Sequence, residues 1–220
     1  SEPPCLDPQL STDTTSSAIM NDTLEGIIRM DQDGVAKKGS GMAEDWDISE
    51  DGLTYTFHLR EDGVWTDGEP VTAYDFEYSW FRALEPEVAS QYAFLVYGVK
   101  NAEAYNTGEI TDKSQVGIKA LDDYTLEVVL EKPDPIFISK LQHSTFFPAR
   151  RDLVEKYGDK YAQDADKVEW NGPFKVTEWT HEQSVTLKKN ESYWDADAVK
   201  LEEINFTINS DANTAINLYE

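Results

Sequence analysis

The chain has a single cysteine, three histidines, few positive charges and no long apolar run. With Cys5 alone, no disulfide can close within its 220 residues. No apolar stretch approaches the length of about 18 residues that a membrane-spanning helix needs. No basic and apolar leader precedes Ser1, so an export signal is expected to have been removed or never to have been present. Lys and Arg number 19 against 43 Asp and Glu, a net charge of −24. That balance repels nucleic-acid phosphates and anionic lipid, and its ordinary effect is a well-solvated surface.

Catalytic and metal patterns are also missing. There is no Cys-x-x-Cys and no His-Glu-x-x-His to hold zinc. Asp31-Gln32-Asp33-Gly34 is a turn-like scrap of a calcium loop without the distant Glu. No Gly-x-x-x-x-Gly-Lys loop cradles phosphate, and no Gly-x-Ser-x-Gly elbow presents a nucleophile. His58 sits in a strand, His143 near a helix end and His181 in a turn, so each is read as structural or solvent-exposed. No cofactor and no metal are expected. Cys5 follows Pro3 and Pro4 rather than a small-residue lipidation site and is expected to be a small buried hydrophobe.

What is present is a globular composition, 40% hydrophobic and 12% aromatic, enough for one large domain or two small ones. The stretch 42–76 carries the densest information. Leu53, Tyr55, Phe57 and Leu59 alternate with polar residues, the period of a strand with one buried face. Corners at Glu61-Asp62-Gly63 and Asp67-Gly68 flank Val64 and Trp65. Thr72 then caps a helix with Asp75 as capping-box partner and Val71 and Phe76 as staple. Phe76, Trp80 and Leu84 give that helix an apolar stripe, and Pro86 closes it.

Elsewhere, Ser16 or Ser17 is expected to cap a helix from Ala18 to about Glu25, ended by Gly26. Tyr92, Phe94, Leu95 and Tyr97 precede an Ala-rich helix ended by Gly108. Residues 116–130 read as a hairpin turning at Asp122-Asp123. Asp134-Pro135 opens a short helix with Pro in its first position, and Arg151 to Tyr157 forms another, stopped at Gly158. Three strands are expected at 174–179, 184–188 and 201–208, and a last helix from Ala212 to Tyr219. Helices mixed with antiparallel strands make the fold α+β or mixed α/β. Trp46, Trp65 and Trp80 are assigned to packing, and Asn171-Gly172-Pro173 to a turn.

The order of residues in 42–76 resembles that of the family 5 extracellular solute-binding proteins, the peptide receptors of ABC importers. Glu2-Pro3-Pro4-Cys5-Leu6-Asp7-Pro8, Leu24-Glu25-Gly26 and Asn171-Gly172-Pro173-Phe174 stand at family-like places. The resemblance implies a periplasmic-binding-protein type II-like fold, comprising lobe II and part of a discontinuous lobe I. It places 1–27 and 149–220 in lobe I and 28–148 in an inserted lobe II. Lobe III and the returning C-terminal strands would then lie outside this chain, an N-terminal portion of a longer protein.

Function follows from the same resemblance. It implies a non-enzymatic receptor, monomeric and extracytoplasmic, that touches the membrane only through a removed lipid anchor. Its partners would be an oligopeptide ligand and ABC permease subunits. A receptor for many peptides must hold the backbone, the one part they share, and an extended segment does this by strand addition. The resemblance places Thr12, Asp13 and Thr14 in the loop that supplies such main-chain contacts. It also makes Tyr92, within Ala89-Ser90-Gln91-Tyr92, a peptide-contacting ring. From the residues alone, the loop is only a hydroxyl-rich turn and Tyr92 an ordinary amphipathic aromatic. Other readings are a receptor for dipeptides, nickel chelates or sugars on the same fold, a secreted peptide hydrolase, and a lipoprotein that presents peptides to a sensor.

Overall fold

The computed structural model describes residues 1–209, so the helix expected from Ala212 to Tyr219 lies outside the described residues. Two antiparallel sheets organise the chain. The first comprises β1 (Ala43–Ile48), β2 (Thr54–Leu59), β3 (Ile118–Asp122) and β4 (Thr125–Val129), in the order β1-β2-β4-β3. Tyr55 pairs with Val128 and Phe57 with Leu126, and all four side chains are buried. The alternation in β2 therefore selects one face, while His58 on the other face reaches Asp47 across the strand pair at 2.8 Å.

Helix α2 (Ala73–Leu84) covers the buried face of this sheet, packing on β3 and β4. Its start has the expected reciprocal capping box, with the Thr72 N–H donating to Asp75 Oδ2 at 2.9 Å. Val71 and Phe76 are both fully buried, as a hydrophobic staple requires. Gly68, at φ +91°, makes the corner before it, a conformation that L side chains rarely adopt. Trp65 and Trp80 are buried and Trp46 nearly so, confirming their packing role. The Trp80 ring meets Phe146 edge-on at 5.1 Å and its indole N–H donates to the Phe146 carbonyl.

The second sheet has the order β5 (Phe174–Thr180), β6 (Ser184–Lys189), β7 (Glu203–Thr207). Helix α1 (Thr14–Thr23) packs against β5. This helix begins four residues before the expected Ala18. Asp13 is its cap, accepting the Ser16 N–H at 2.8 Å on its carboxylate and so satisfying a free amide of the first turn. The helix ends at Leu24 in an extended conformation, before Gly26.

Short helices follow at α3 (Ala102–Asn106), α4 (Phe137–Lys140) and α5 (Arg151–Tyr157). α4 starts two residues beyond Pro135, because Asp134 forms a turn over Ile136 N–H first. Cys5 is only half-buried, a correction to its expected burial: it lies between the stiff Pro3-Pro4 pair and the buried Leu6 and Asp7.

The two halves are tied by a buried ion pair. Arg82, on α2, donates to Asp7 Oδ1 and Oδ2 at 2.6 and 2.7 Å. Gln9 accepts from the same guanidinium and donates to the carbonyls of Thr145 and Phe147. Removing one member strands the other charge, whereas removing both does not. Arg82→Met should lower unfolding free energy by about 3–5 kcal/mol, and adding Asp7→Asn should cost far less than a second such loss, as measured by urea denaturation.

Asp75 supplies a separate pH signature. Burial pushes its carboxyl up to about 6, against the opposing donations from Thr72 N–H and the Trp65 indole. A raised carboxyl favours the folded state only while it is protonated, so its contribution falls as pH climbs from about 4 to about 6. Asp75→Asn keeps an acceptor for both donors. The stability difference between wild type and this variant should therefore shift against the wild type over that window in a pH series of denaturation curves.

Candidate functional site

An open cleft of about 460 Å³ lies between α1 and the segment around α4. Ser17 and Asn21, four residues apart, line it from α1; Leu95, Gln142 and His143 line the opposite side. The other face of α1 is buried through Ser16, Ile19, Met20 and Thr23. Helical periodicity thus turns a polar stripe toward the cleft. A larger hollow of about 530 Å³, between α2 and β3, contains none of the expected site residues.

Tyr92 stands immediately before the 3₁₀ turn Ala93–Val96 that brings Leu95 into the cleft wall. Its ring meets the His143 imidazole edge-on at 4.8 Å and lies 6.0 Å from Phe94, which is exposed. His143 Nδ1 accepts the Thr145 N–H at 3.2 Å, and burial lowers the pKa of the ring. The imidazole is therefore neutral, with its N–H on Nε2. Neither its position near a helix end nor its spacing marked His143 as a cleft residue. The one available hint is the polar run Gln142-His143-Ser144 between the buried Leu141 and Phe146.

Thr12 and Thr14 are exposed at the start of α1. Asp13, between them, commits Oδ1 to the Ser16 N–H and receives the Ser11 hydroxyl on Oδ2. The Thr12 backbone N–H and C=O make no hydrogen bond to another described residue. A solvent-facing main chain with both groups free is what strand addition requires. None of Thr12, Asp13, Thr14 and Tyr92 lines the cleft itself: the first three precede or open α1, whose Ser17 and Asn21 form one wall, and Tyr92 packs on His143 of the other. Among the described residues, no group of three or more His, Cys, Asp or Glu side chains is placed to hold a metal ion.

The scaffold behind α1 unites two motifs that lie far apart in sequence. Asn171 accepts the Glu25 N–H at 2.9 Å and donates to the Glu25 carbonyl at 3.0 Å. Gly172 N–H donates to the Thr23 carbonyl at the end of α1. The buried Glu25 carboxylate receives Arg29 and the Tyr193 hydroxyl, each at 2.6 Å, and also the Trp194 indole. Asn171-Gly172 is thus more than a turn; it clamps the chain leaving α1.

These features define a class: a two-sheet α/β scaffold with a polar cleft beside an aromatic pair, in the periplasmic-binding-protein type II fold. Residues 39–220 match the family described as bacterial extracellular solute-binding proteins, family 5 middle, and the chain belongs to that family. It is 41% identical over 219 residues to the dipeptide-binding protein DppE of Bacillus subtilis, covering all of this chain and 40% of that protein. The oligopeptide-binding protein OppA of the same organism is likewise 41% identical with the same coverage. The solved structure of Listeria monocytogenes OppA bound to peptide superposes with a TM-score of 0.93 at 41% identity, covering 98% of this chain and 42% of that one. The chain thus spans about 40% of the curated relatives' length. The family and these relatives are binding proteins.

A Cβ on Gly172 would meet the Thr23 carbonyl carbon at 2.6 Å and Leu24 N at 2.8 Å, both backbone atoms. Gly172→Ala should therefore lower stability by about 1–3 kcal/mol, the usual cost of overpacking, and a shift in the urea midpoint measures it.

Proposed function

We propose that this chain is the peptide-holding portion of a receptor that captures oligopeptides outside the cell membrane for import by an ABC transporter. The observation that carries this reading is the Thr12 main chain, exposed just before α1 and without a hydrogen bond to another described residue. Backbone groups read no side-chain identity, so such a site suits ligands of varied sequence. The names of the relatives, oligopeptide- and dipeptide-binding proteins, support the same substrate class.

Within this reading, residues 1–27 and 149–220 contribute to lobe I and 28–148 form lobe II. The buried sheet under α2 and the sheet packed on α1 fit that division. The receptor acts as a monomer without catalysis. Hinge closure around the peptide presents a new surface to the permease subunits, and a lipid anchor or periplasmic confinement keeps the receptor beside them. A dipeptide preference is the closest rival, because DppE is among the relatives.

Isothermal titration of two- to five-residue peptide mixtures into the complete protein containing this chain should give saturable heats. Uniform silence refutes the substrate class, and the length dependence separates dipeptide from oligopeptide preference. Thr12→Ala, which keeps the N–H, should leave affinity nearly unchanged. Thr12→Pro, which removes the N–H, and Tyr92→Ala should each weaken binding by about tenfold, the worth of one net hydrogen bond or ring contact. Chromatography of the incubated peptides should show no turnover.

A further inference from the structure

We propose that His181 is held as a doubly protonated imidazolium and serves as a pH-sensitive clasp, fastening the first residues of the chain to the β5–β6 hairpin. Its Nδ1 lies 2.7 Å from Glu2 Oε1 and its Nε2 lies 2.9 Å from Asp164 Oδ1. An ionised carboxylate only accepts hydrogen bonds, and a neutral imidazole has a single N–H to donate. Two carboxylates, one on each ring nitrogen, are satisfied only by the cation.

A protonated carboxyl donating to a neutral ring does not fit the surroundings. Glu2 Oε1 also receives the Trp179 indole and Oε2 the Glu182 N–H, both at 2.9 Å. Asp164 Oδ2 receives the Lys167 ammonium. Each carboxylate is therefore surrounded by donors, which favour its charged form. The Trp179 ring, 4.6 Å from the imidazole, adds an aromatic neighbour that favours a cation. The charged groups facing His181 are Glu2 from the first segment, and Asp164 with its partner Lys167 from the loop before β5. Glu182 on the hairpin itself enters through its backbone N–H.

The pKa directions agree with this geometry. Hydrogen bonds to Asp164 and Glu2 raise His181 above 6.5. Burial pushes Glu2 up, but its bonds to His181, Glu182 and Trp179 outweigh this and hold it low. Lys167 and His181 hold Asp164 low.

A histidine raised in the folded state contributes fully below its unfolded value, and the contribution is lost as pH rises through the folded one. The clasp is closed in mildly acidic solution and opens toward alkaline pH. Opening is local, because Leu6 N–H still bonds the Ala162 carbonyl at 2.9 Å and Arg82, which stays charged, still holds Asp7. The pH-sensitive span is thus the Glu2-Pro3-Pro4 link.

The test is an NMR titration of the complete protein containing this chain, following the His58, His143 and His181 rings and the Glu182 amide. His181 should titrate above 6.5, and its midpoint should fall in both Glu2→Gln and Asp164→Asn. Glu182 amide protection, corrected for intrinsic exchange, should be lost between pH 6 and 9 in the wild type. In His181→Gln it should be weak at both pH values. A midpoint at or below 6.5, a midpoint unmoved by the two variants, or protection independent of pH overturns the proposal.

Discussion

The bidentate contact between Arg82 and Asp7 is the constraint on which the arrangement of the molecule turns. It forms between a residue in the first extended segment and one near the end of α2, 75 positions later. Both side chains are almost wholly withdrawn from water, so neither charge is tolerable without the other. Gln9 extends the contact to the Thr145 and Phe147 carbonyls. One ionic node thus fixes the segment that leads to Thr12, the helix covering the first sheet, and the 3₁₀ turn Ser144–Phe146 just after His143. The two walls of the cleft are positioned by the same node.

A second, largely neutral clamp completes the frame. The exchange of backbone and side-chain hydrogen bonds between Glu25 and Asn171, and the close approach of Gly172 to Thr23, fix where the chain leaves α1. The Asp7 pair anchors the entry to α1 and the Asn171 clamp anchors its exit. The helix is therefore held at both ends while its polar stripe, Ser17 and Asn21, stays open. Rigid support around an open polar surface suits a binding site, because ordering the scaffold in advance leaves less entropy to lose on capture.

Much of this was legible in the sequence where a local rule had one solution. Alternation in β2, the Thr72–Asp75 box and the Asp122-Asp123 hairpin each rest on neighbouring residues, and the structure reproduces them. The start of α1 was misplaced because the six hydroxyl residues of 11–17 and Asp13 compete as caps, and only tertiary packing decides among them. The motifs Leu6-Asp7-Pro8, Leu24-Glu25-Gly26 and Asn171-Gly172 stood out as a pattern, but the bonding of Asp7 to Arg82 and of Glu25 to Asn171 is long-range and has no local trace. His143 stayed hidden for the same reason: its role comes from a ring that is distant in the chain, Tyr92.

The Asn171-Gly172 pair carries one further consequence. An asparagine followed by glycine readily cyclises to a succinimide and releases ammonia when the glycine nitrogen is free to attack the side-chain carbonyl. Here that nitrogen donates to Thr23, and the asparagine amide is engaged at both its oxygen and its nitrogen. The native fold shields its own most perishable dipeptide, so chemical ageing at this point keeps time with excursions to the unfolded chain.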